Sequence, residues 1–228
     1  MNCKINRCKD KEIEVFLNEE ILNSRSIQLI SKSPRRREIL TKLYDEVKVI
    51  DFHFEERVPA AMDARLVSVF LAKQKMADFL DSGLPKKERI ITADTVVCYP
   101  DKGLILGKPK SRAEAKEMLL YHFGKEHLVV TSVCYFDAIN NIQTIITDEA
   151  KVRFKKLENI PEKVLSDYIK LLPPEGPMDK AGAYGIQEAQ VFNFMIENVV
   201  GDINTVVGFP LEKFISIIIN SSSGDINS

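Results

Sequence analysis

The chain of 228 residues carries 32 basic and 33 acidic side chains, which gives a formal net charge of -1 at pH 7. This balance argues against a dedicated nucleic-acid-binding protein, because such proteins present a basic excess to the phosphate backbone. With 45% hydrophobic residues the chain can bury one large core. It has no apolar run of the ~18 residues that a membrane-spanning helix needs.

The N-terminal stretch MNCKINRCKDKEIEVF has neither the apolar segment nor the small-residue cleavage site of a secretory signal. We therefore expect the protein to act in the cytoplasm, with no membrane partner. In that reducing compartment the four cysteines, which show no paired metal-binding spacing, are expected to be simple thiols (Cys3, Cys8, Cys98 and Cys134).

The first half of the chain predicts alternating strands and helices, after a polar N-terminal extension of residues 1–25. The predicted elements are, in order, strands at SIQLI (26–30) and EVKVIDFHF (46–54), a helix over 63–81, and a strand at RIITADTVVCY (89–99). Between the first two strands, Ser33 and Pro34 are the residue types expected at the N-cap and the first position of a helix.

The second half adds a hairpin to this pattern. The predicted elements are a helix capped by Ser111 and Glu114 with Gly124 at its end, two β-rich segments joined at Asn140-Asn141, a helix from Pro161, a strand near VFNFMI (191–196), a turn at GDIN (201–204) and a helix from Pro210 to about Ile219. We expect an α/β fold with a mixed sheet and flanking helices over residues 26–219, followed by a flexible tail of residues 220–228.

Three arginines follow the first strand in SKSPRRREIL (31–40), within the first turn of a predicted helix. Positive charge at a helix N-terminus opposes the helix dipole, so a bound anion would compensate for its cost. The hydroxyls of Ser31 and Ser33, the guanidinium groups of Arg35 and Arg36, and exposed backbone N–H groups are suited to bind phosphate. The alternative interpretation is a solvated basic patch.

The segment GLILGKP (103–109) resembles a P-loop only superficially. Three residues rather than four separate its glycines, and Pro109 stands where a P-loop has the serine or threonine that holds magnesium. The pattern therefore excludes a P-loop nucleotide site, and it leaves Lys108 as a candidate phosphate ligand.

Asp94 interrupts the apolar strand at 89–99, where a carboxylate is costly unless it is paired, hydrogen-bonded or bound to a metal. Glu55 and Glu56 follow another predicted strand. Carboxylate oxygens suit Mg²⁺, which commonly uses one or two of them together with substrate phosphates. The alternatives are a strand-end carboxylate that caps a neighbouring loop, for Asp94, and a solvated pair, for Glu55 and Glu56.

The loop DKAGAYGIQ (179–187) combines an acid, Lys180 and several small residues. Glycine permits close approach of the backbone to a ligand, and Lys180 would be a strong phosphate ligand if it points inward. The histidines suggest no catalytic pair, and His122 and His127 are expected to be structural.

The chain carries the following segments in this order: SKSPRRREIL, FEE, LAKQK, ADTVV, GKP, HLVVTSV, DKAGAYGIQ and VVGFPL. Together these segments resemble those of the Maf proteins, also known as septum-formation inhibitor-like proteins. The resemblance covers roughly residues 26–217. It implies an elongated mixed α/β fold related to inosine-triphosphate pyrophosphatases, with two lobes around a cleft. It also implies hydrolysis of a nucleoside triphosphate to a monophosphate and pyrophosphate with Mg²⁺, or with Mn²⁺ or Co²⁺, and relatives often form dimers.

The resemblance also implies roles for single residues. Family active-site positions fall on Ser31, Arg36, Glu56, Lys75, Asp94 and Lys108. Positions that contact the base in the dTTP/UTP-preferring branch fall on Arg35, Thr95 and Gln187. A second branch, which prefers 7-methyl-GTP, has glutamine in place of Thr95, so the chain resembles the pyrimidine branch. Glu188 stands where many relatives have glycine, and we expect it at the rim of the cleft.

The implied mechanism uses the arginines and lysines to bind the triphosphate and uses Asp94 and Glu56 to hold the metal. Asp94 acts on the attacking water, while Lys108 stabilises the departing pyrophosphate. Such an enzyme would remove surplus or non-standard nucleotides. The alternatives are a pyrophosphatase for ITP, XTP or 7-methyl-GTP, a non-catalytic nucleotide-binding regulator of division, and a nucleic-acid binder that uses Arg35, Arg36 and Arg37.

Overall fold

Seven strands form one sheet in the computed structural model, which describes residues 26–59, 62–172, 176–189 and 191–222. The predicted N-terminal extension lies outside these ranges, as do residues 223–228 of the predicted tail. The strands are β1 (Ser26–Ile30), β2 (Glu46–Ile50), β3 (Arg89–Tyr99), β4 (Leu104–Leu106), β5 (Glu126–Asp137), β6 (Ile142–Phe154) and β7 (Ile196–Val200).

The strand order is β2-β1-β3-β5-β6-β7, and β4 pairs with β3 beside this path. Strand β1 runs parallel to β2 and β3, whereas the other pairs are antiparallel. The mixed α/β sheet predicted from the alternation and the central hairpin is therefore confirmed.

Helices cover both faces of this sheet. They are α1 (Pro34–Leu40), α2 (Ala64–Asp81), α3 (Arg112–His122), α4 (Glu162–Lys170), α5 (Ile203–Val207) and α6 (Leu211–Ser222), with short 3₁₀ turns at Pro100–Lys102, Leu157–Asn159 and Ala181–Ala183 and a π-helical turn at Val191–Met195. No helix in the described part of the chain combines the length and the apolar character needed to cross a membrane.

The alternating side chains of β3 divide the core between the two faces. Ile90 and Cys98 pack against α2. On the other face, Ile91 belongs to an apolar cluster under α1 and α6, while Val97 belongs to a second cluster under α3 and α4. Because Thr95 lies between Ile91 and Val97 on this face, the two clusters leave a polar position between them at the middle of the strand.

The predicted helix starts are confirmed. Ser33 is the N-cap of α1 and accepts a hydrogen bond from the backbone N–H of Arg36, with Pro34 in the first helical position. Ser111 caps α3 by accepting from the backbone N–H of Glu114, whose carboxylate in turn accepts from the backbone N–H of Lys110. Local sequence alone was sufficient to place the N-termini of α1 and α3, because each capping hydrogen bond joins residues at most four positions apart.

Two predicted strand boundaries are wrong. Strand β2 ends at Ile50 and not at residue 54, because its partner β1 ends at Ile30, the residue paired with Ile50. Phe52 leaves the sheet and packs edge-on against Phe79 of α2, with ring centroids 5.6 Å apart. The segment predicted as a strand near 191–196 is mostly the π-helical turn Val191–Met195, and pairing with β6 begins only at Ile196.

The segment GDIN, predicted as a turn, starts a short helix. Asp202 caps α5 by accepting a hydrogen bond from the backbone N–H of Asn204. The helix is placed against the sheet by a tertiary bond, in which the Thr131 hydroxyl donates to the Thr205 carbonyl over 2.6 Å. That contact joins residues far apart in sequence, so the local pattern gave no sign of it.

His122 and His127 are buried and structural, as predicted. The carbonyl of Gly182 can only accept, so Nε2 of His122 donates to it over 2.9 Å and Nδ1 accepts from the Tyr99 hydroxyl over 2.8 Å. Cys98 and Cys134 are buried free thiols, also as predicted.

Candidate active site

A gap along one edge of β3 creates the site. Strand β1 pairs with residues 90–92 of β3, and β4 pairs with residues 97–99. Both lie opposite the edge that β5 occupies, so residues 93–96 have no strand partner there among the described residues. The chain leaving β1 at Ser31 therefore passes beside Asp94 and Thr95, as is usual for binding sites at the carboxyl ends of parallel strands.

A cavity of about 910 Å³ opens at this gap. Every site residue predicted from the sequence contributes to its lining: Ser31, Ser33, Arg35, Arg36, Glu56, Lys75, Asp94, Thr95, Lys108, Lys180 and Gln187. The fold thus gathers residues from α1, α2, β3 and four loops around one space. This volume lies in the range that suits a small organic ligand such as a nucleotide.

Asp94 is paired with a lysine from α2. Lys75 Nζ lies 2.5 Å from Asp94 Oδ1 and 3.8 Å from Glu56 Oε1, and it also lies 4.6 Å above the centre of the Phe54 ring. The side chains of Lys75 and Asp94 are only 15% and 11% exposed. Among the alternatives open for Asp94, the structure therefore supports a paired carboxylate and not a loop cap.

Glu55 and Glu56 have separate positions. Glu56 lines the cavity, whereas the exposed Glu55 pairs with Arg57 over 3.0 Å. Both side chains are solvent-exposed, and only Glu56 faces the cavity. The side chain of Glu56 is 58% exposed, so it can move toward a ligand that enters the cavity.

Arg36 is held by a fan of acceptors. Its Nε donates to the Gly208 carbonyl over 2.9 Å, Nη1 to Ser31 Oγ over 3.1 Å, and Nη2 to Thr95 Oγ1 over 3.0 Å. Burial lowers the pKa of Arg36 to about 10, and the charge of Asp94 partly opposes this shift. The guanidinium therefore stays positive at neutral pH, in a fixed orientation.

Arg35 takes a different partner, Asp179, whose Oδ2 lies 3.1 Å from Nη1. Arg37 is exposed. Of the three charges at the start of α1, only that of Arg35 is paired with an acid, whereas neutral oxygens hold Arg36. The basic-patch interpretation applies to Arg37 alone.

Lys108 contributes a positive charge that no described residue pairs with through a hydrogen bond or ion pair. Its pKa is lowered from the usual 10.5, first because surrounding protein partly desolvates the ammonium and then because Arg36 and Lys75 repel it. A lysine at the cavity wall without an ion-pair partner is suited to neutralise the charge of an anion that enters the cavity.

Lys180 lines the cavity but is only 4% exposed. Its ammonium lies 2.6 Å from the Gly176 carbonyl, 2.7 Å from Asp179 Oδ1 and 2.9 Å from Glu188 Oε1. Phosphate binding by Lys180 remains a prediction, and in this structure the lysine joins two acids at the cavity wall.

The loop DKAGAYGIQ closes the cavity with tight packing. Gly182 has φ 67°, and a Cβ atom there would lie 2.9 Å from Val97 Cγ1. Beyond it Gln187 is exposed and lines the cavity. The small residues therefore serve close approach of the loop to β3, while Gln187 remains accessible to a ligand.

A family model for Maf-like proteins matches residues 26–220, most of the chain. The chain belongs to the Maf family. It is 39% identical over 187 residues to the dTTP/UTP pyrophosphatase of Thermotoga maritima, covering 81% of this chain and 84% of that protein.

Two further relatives carry the same name. The dTTP/UTP pyrophosphatase of Flavobacterium psychrophilum is 35% identical over 205 residues, which cover 90% of this chain and 98% of that protein. That of Pyrococcus abyssi is 38% identical over 194 residues, covering 84% and 94%. The family resemblance seen in the motifs thus extends along the fold.

The carboxylates of this Maf site suit a magnesium ion that relies on its substrate. Within the described ranges, no group of three or more His, Cys, Asp and Glu side chains could hold a metal ion. Asp94 and Glu56 supply hard oxygen atoms, and Mg²⁺ typically binds through one or two carboxylates, waters and substrate phosphates. Lys75 lies against Asp94 Oδ1, which leaves Oδ2 as the oxygen available to a metal or a water.

Three contributors to this Maf site were missed or misplaced in the sequence. Asp179 was not predicted as a site residue, although an acid directly before Lys180 in a small-residue loop was a usable signal. Phe54 under Lys75 was interpreted as part of a strand. Glu188, expected at the rim, is a carboxylate with 9% exposure beside Lys180 and does not line the cavity.

Proposed function

We propose that this protein hydrolyses nucleoside triphosphates, with dTTP and UTP as preferred substrates, to the nucleoside monophosphate and pyrophosphate. Membership of the Maf family and similarity to proteins named dTTP/UTP pyrophosphatase support this reaction and this substrate class. The structural observation that carries the proposal is the position of Asp94, a lysine-paired carboxylate in a strand gap that faces a cavity lined by Arg35, Arg36 and Lys108.

Positive side chains on two sides of the cavity would bind the triphosphate. Arg35 and Arg36 approach from α1, and Lys108 approaches from the loop after β4. Guanidinium and ammonium groups form charge-assisted hydrogen bonds with phosphate oxygens, and arginine adds a fixed direction. The fan of acceptors around Arg36 supports a role in orienting the substrate, since its position is set before the substrate arrives.

Asp94 would act on the attacking water. The water oxygen forms a bond to the α-phosphorus while the bond from that phosphorus to the oxygen bridging to the β-phosphate breaks, and pyrophosphate leaves with the bonding electrons. Asp94 Oδ2 would orient the water and accept its proton, and Lys108 would stabilise the charge that develops on the departing pyrophosphate. Asp94 and Glu56 would hold a divalent ion, Mg²⁺ with Mn²⁺ or Co²⁺ as alternatives, which when bound neutralises charge on the phosphate oxygens.

Preference for thymine or uracil would come from Arg35, Thr95 and Gln187. All three line the cavity, and Gln187 is the most accessible of them. A glutamine amide offers both a donor and an acceptor, which matches the alternating carbonyl and N–H groups on the edge of these bases. The purpose we propose is removal of surplus or non-standard nucleotides in the cytoplasm.

The test is a panel of dTTP, UTP, CTP, ITP, XTP and 7-methyl-GTP with Mg²⁺, in which pyrophosphate and orthophosphate are measured separately. We expect pyrophosphate from dTTP and UTP, and we expect loss of turnover after chelation with EDTA. The Asp94→Asn variant should lose about 10²-fold or more in kcat. Asp78→Asn, an exposed acid on α2, is the matched control. Orthophosphate alone, or normal turnover by Asp94→Asn, would refute the mechanism.

A further inference from the structure

A row of alternating charges runs from the cavity into the protein. Arg35 Nη1 lies 3.1 Å from Asp179 Oδ2, Asp179 Oδ1 lies 2.7 Å from Lys180 Nζ, and Lys180 Nζ lies 2.9 Å from Glu188 Oε1. Asp179 therefore bridges two cations, one with each carboxylate oxygen. The first three residues line the cavity and Glu188 does not.

The far end of this row is the better buried end. The side chains of Arg35 and Asp179 are 17% and 26% exposed, whereas those of Lys180 and Glu188 are 4% and 9% exposed. Neither carboxylate oxygen of Glu188 has a well-aligned hydrogen bond to a described residue. The ion pair with Lys180 over 2.9 Å and the neighbouring Tyr168 hydroxyl are the contacts that offset the burial of this charge.

The backbone at Gly185 leaves room for the side chains of Lys180 and Glu188. A Cβ atom on Gly185 would lie 2.5 Å from Lys180 Cε and 3.0 Å from Glu188 Cδ. The N–H of Gly185 also donates to the Tyr168 hydroxyl over 3.1 Å. Burial, followed by the nearby charge of Glu188, raises the pKa of Tyr168. The lysine and its acid therefore occupy a space that the loop leaves for them.

Asp179 is sensitive to both of its cations. Burial by itself would raise the pKa of its carboxyl, but Lys180 and Arg35 outweigh that effect and lower it. If Glu188 lost its charge, Lys180 would keep Asp179 as its nearest anion in a space with little water. Lys180, already 2.7 Å from Asp179 Oδ1, would then attract Asp179 Oδ2 as well and compete with Arg35 for that oxygen.

We infer that Glu188 is a positioning residue, which fixes the direction of Arg35 in the cavity by balancing Lys180 and so leaving one oxygen of Asp179 free to hold the guanidinium. The effect on substrate rests on the proposed function, because only there is Arg35 a ligand of the nucleotide. The effect on Arg35 itself does not depend on that function.

The first experiment is a crystal structure of the Glu188→Gln variant beside that of the wild type. We expect the separation of Arg35 Nη1 and Asp179 Oδ2 to grow beyond about 4 Å, the limit of an ion pair. An unchanged separation of 3.1 Å would overturn the inference. If Glu188→Gln does not fold, Glu188→Asp retains the charge with a shorter side chain, and we expect the same displacement to a smaller degree.

The second experiment is a double-mutant cycle read by calorimetry, with a non-hydrolysable α,β-imido analogue of dUTP as the probe. Glu188→Gln should weaken its binding about fivefold in the wild type and less than about twofold in an Arg35→Ala background, as expected for coupled residues. Glu117→Gln, on an exposed position of α3, should change neither value. Equal weakening in both backgrounds, or tighter binding by Glu188→Gln, would show that Glu188 does not act through Arg35.

The two proposals fail in different ways. If the wild type neither binds the analogue nor hydrolyses dTTP, the proposed function is wrong, and the crystallographic separation still decides the inference about Glu188. If the wild type is active and the separation is unchanged, the function stands and the inference about Glu188 is wrong.

Discussion

Lys75 Nζ and Asp94 Oδ1 are 2.5 Å apart although the two residues are 19 positions apart in the chain. A second hydrogen bond between α2 and β3 places these two residues side by side. In it, the Thr92 hydroxyl donates to the Ala72 carbonyl over 2.7 Å. Lys75 lies nearly one helical turn beyond Ala72, and Asp94 lies two strand residues beyond Thr92. Both side chains therefore point to the same place on the α2 face of the sheet.

Replacing Lys75 should disable this arrangement. Lys75→Ala leaves the Asp94 carboxylate without its ion pair and removes a positive charge from the cavity, so we expect kcat for dTTP to fall on the order of 10²-fold. The measurement is steady-state pyrophosphate release. Lys73→Ala removes an exposed lysine from the same helix and should leave kcat unchanged. Equal effects of the two substitutions would contradict the role of Lys75.

The fan of acceptors around Arg36 predicts that charge alone is insufficient there. Lysine cannot donate in the three directions that Gly208, Ser31 and Thr95 require, so Arg36→Lys should reduce kcat/KM on the order of 10- to 100-fold. Arg37→Lys, at the exposed neighbouring position, is the control with the same chemical change. Retention of full kcat/KM by Arg36→Lys would show that orientation of this guanidinium is unimportant.

Lys108 predicts weaker substrate binding in alkaline solution. Its pKa is lowered from 10.5 by partial burial and by Arg36 and Lys75, so its positive charge is lost as pH rises through a value below that of a free lysine. The probe is tripolyphosphate, which has no nucleobase that could titrate. As the pH rises, its affinity should therefore begin to decrease before pH 10.5 is reached. Lys108→Arg stays charged over this range and should bind with less pH dependence. Identical pH profiles would exclude Lys108 as a ligand of the phosphates.

The buried His122 predicts a loss of stability in acid. Burial lowers its pKa to about 4 from 6.5, so between these values the unfolded chain binds a proton that the folded chain does not. Acidification therefore favours unfolding, and His122 alone should lower the free energy of unfolding by about 2 kcal/mol between pH 7 and pH 5.

Urea unfolding at both pH values tests this expectation. His122→Gln cannot titrate and should be less stable at pH 7 because it disturbs the bonds to Tyr99 and Gly182. It should nevertheless lose less stability than the wild type on acidification. Burial also lowers the pKa of His127. His127 therefore contributes to the pH dependence of the free energy of unfolding in both proteins. If His122→Gln lost as much stability between pH 7 and pH 5 as the wild type, His122 would not be the titrating group.

Several features of this protein followed from the sequence alone. The bounds of β3, the caps of α1 and α3 and the hairpin between β5 and β6 were all predicted, because each depends on hydrogen bonds or periodicity within a few residues. The boundary errors at β2 and at residues 191–196 have the opposite origin. There the end of a strand is set by its partner: Ile50 is the last residue opposite β1, and Ile196 the first opposite β6.

The sequence by itself determined which residue types are present for phosphate chemistry, and its motifs identified their family. Only the tertiary structure decided how those groups are paired. It separated Glu56 from Glu55, gave Arg35 and Arg36 different partners, and placed Lys180 between two acids at the cavity wall. The reason is physical: spacing along the chain fixes hydrogen bonds over a few residues, whereas the energy of a charge depends on burial and on neighbours brought from distant segments.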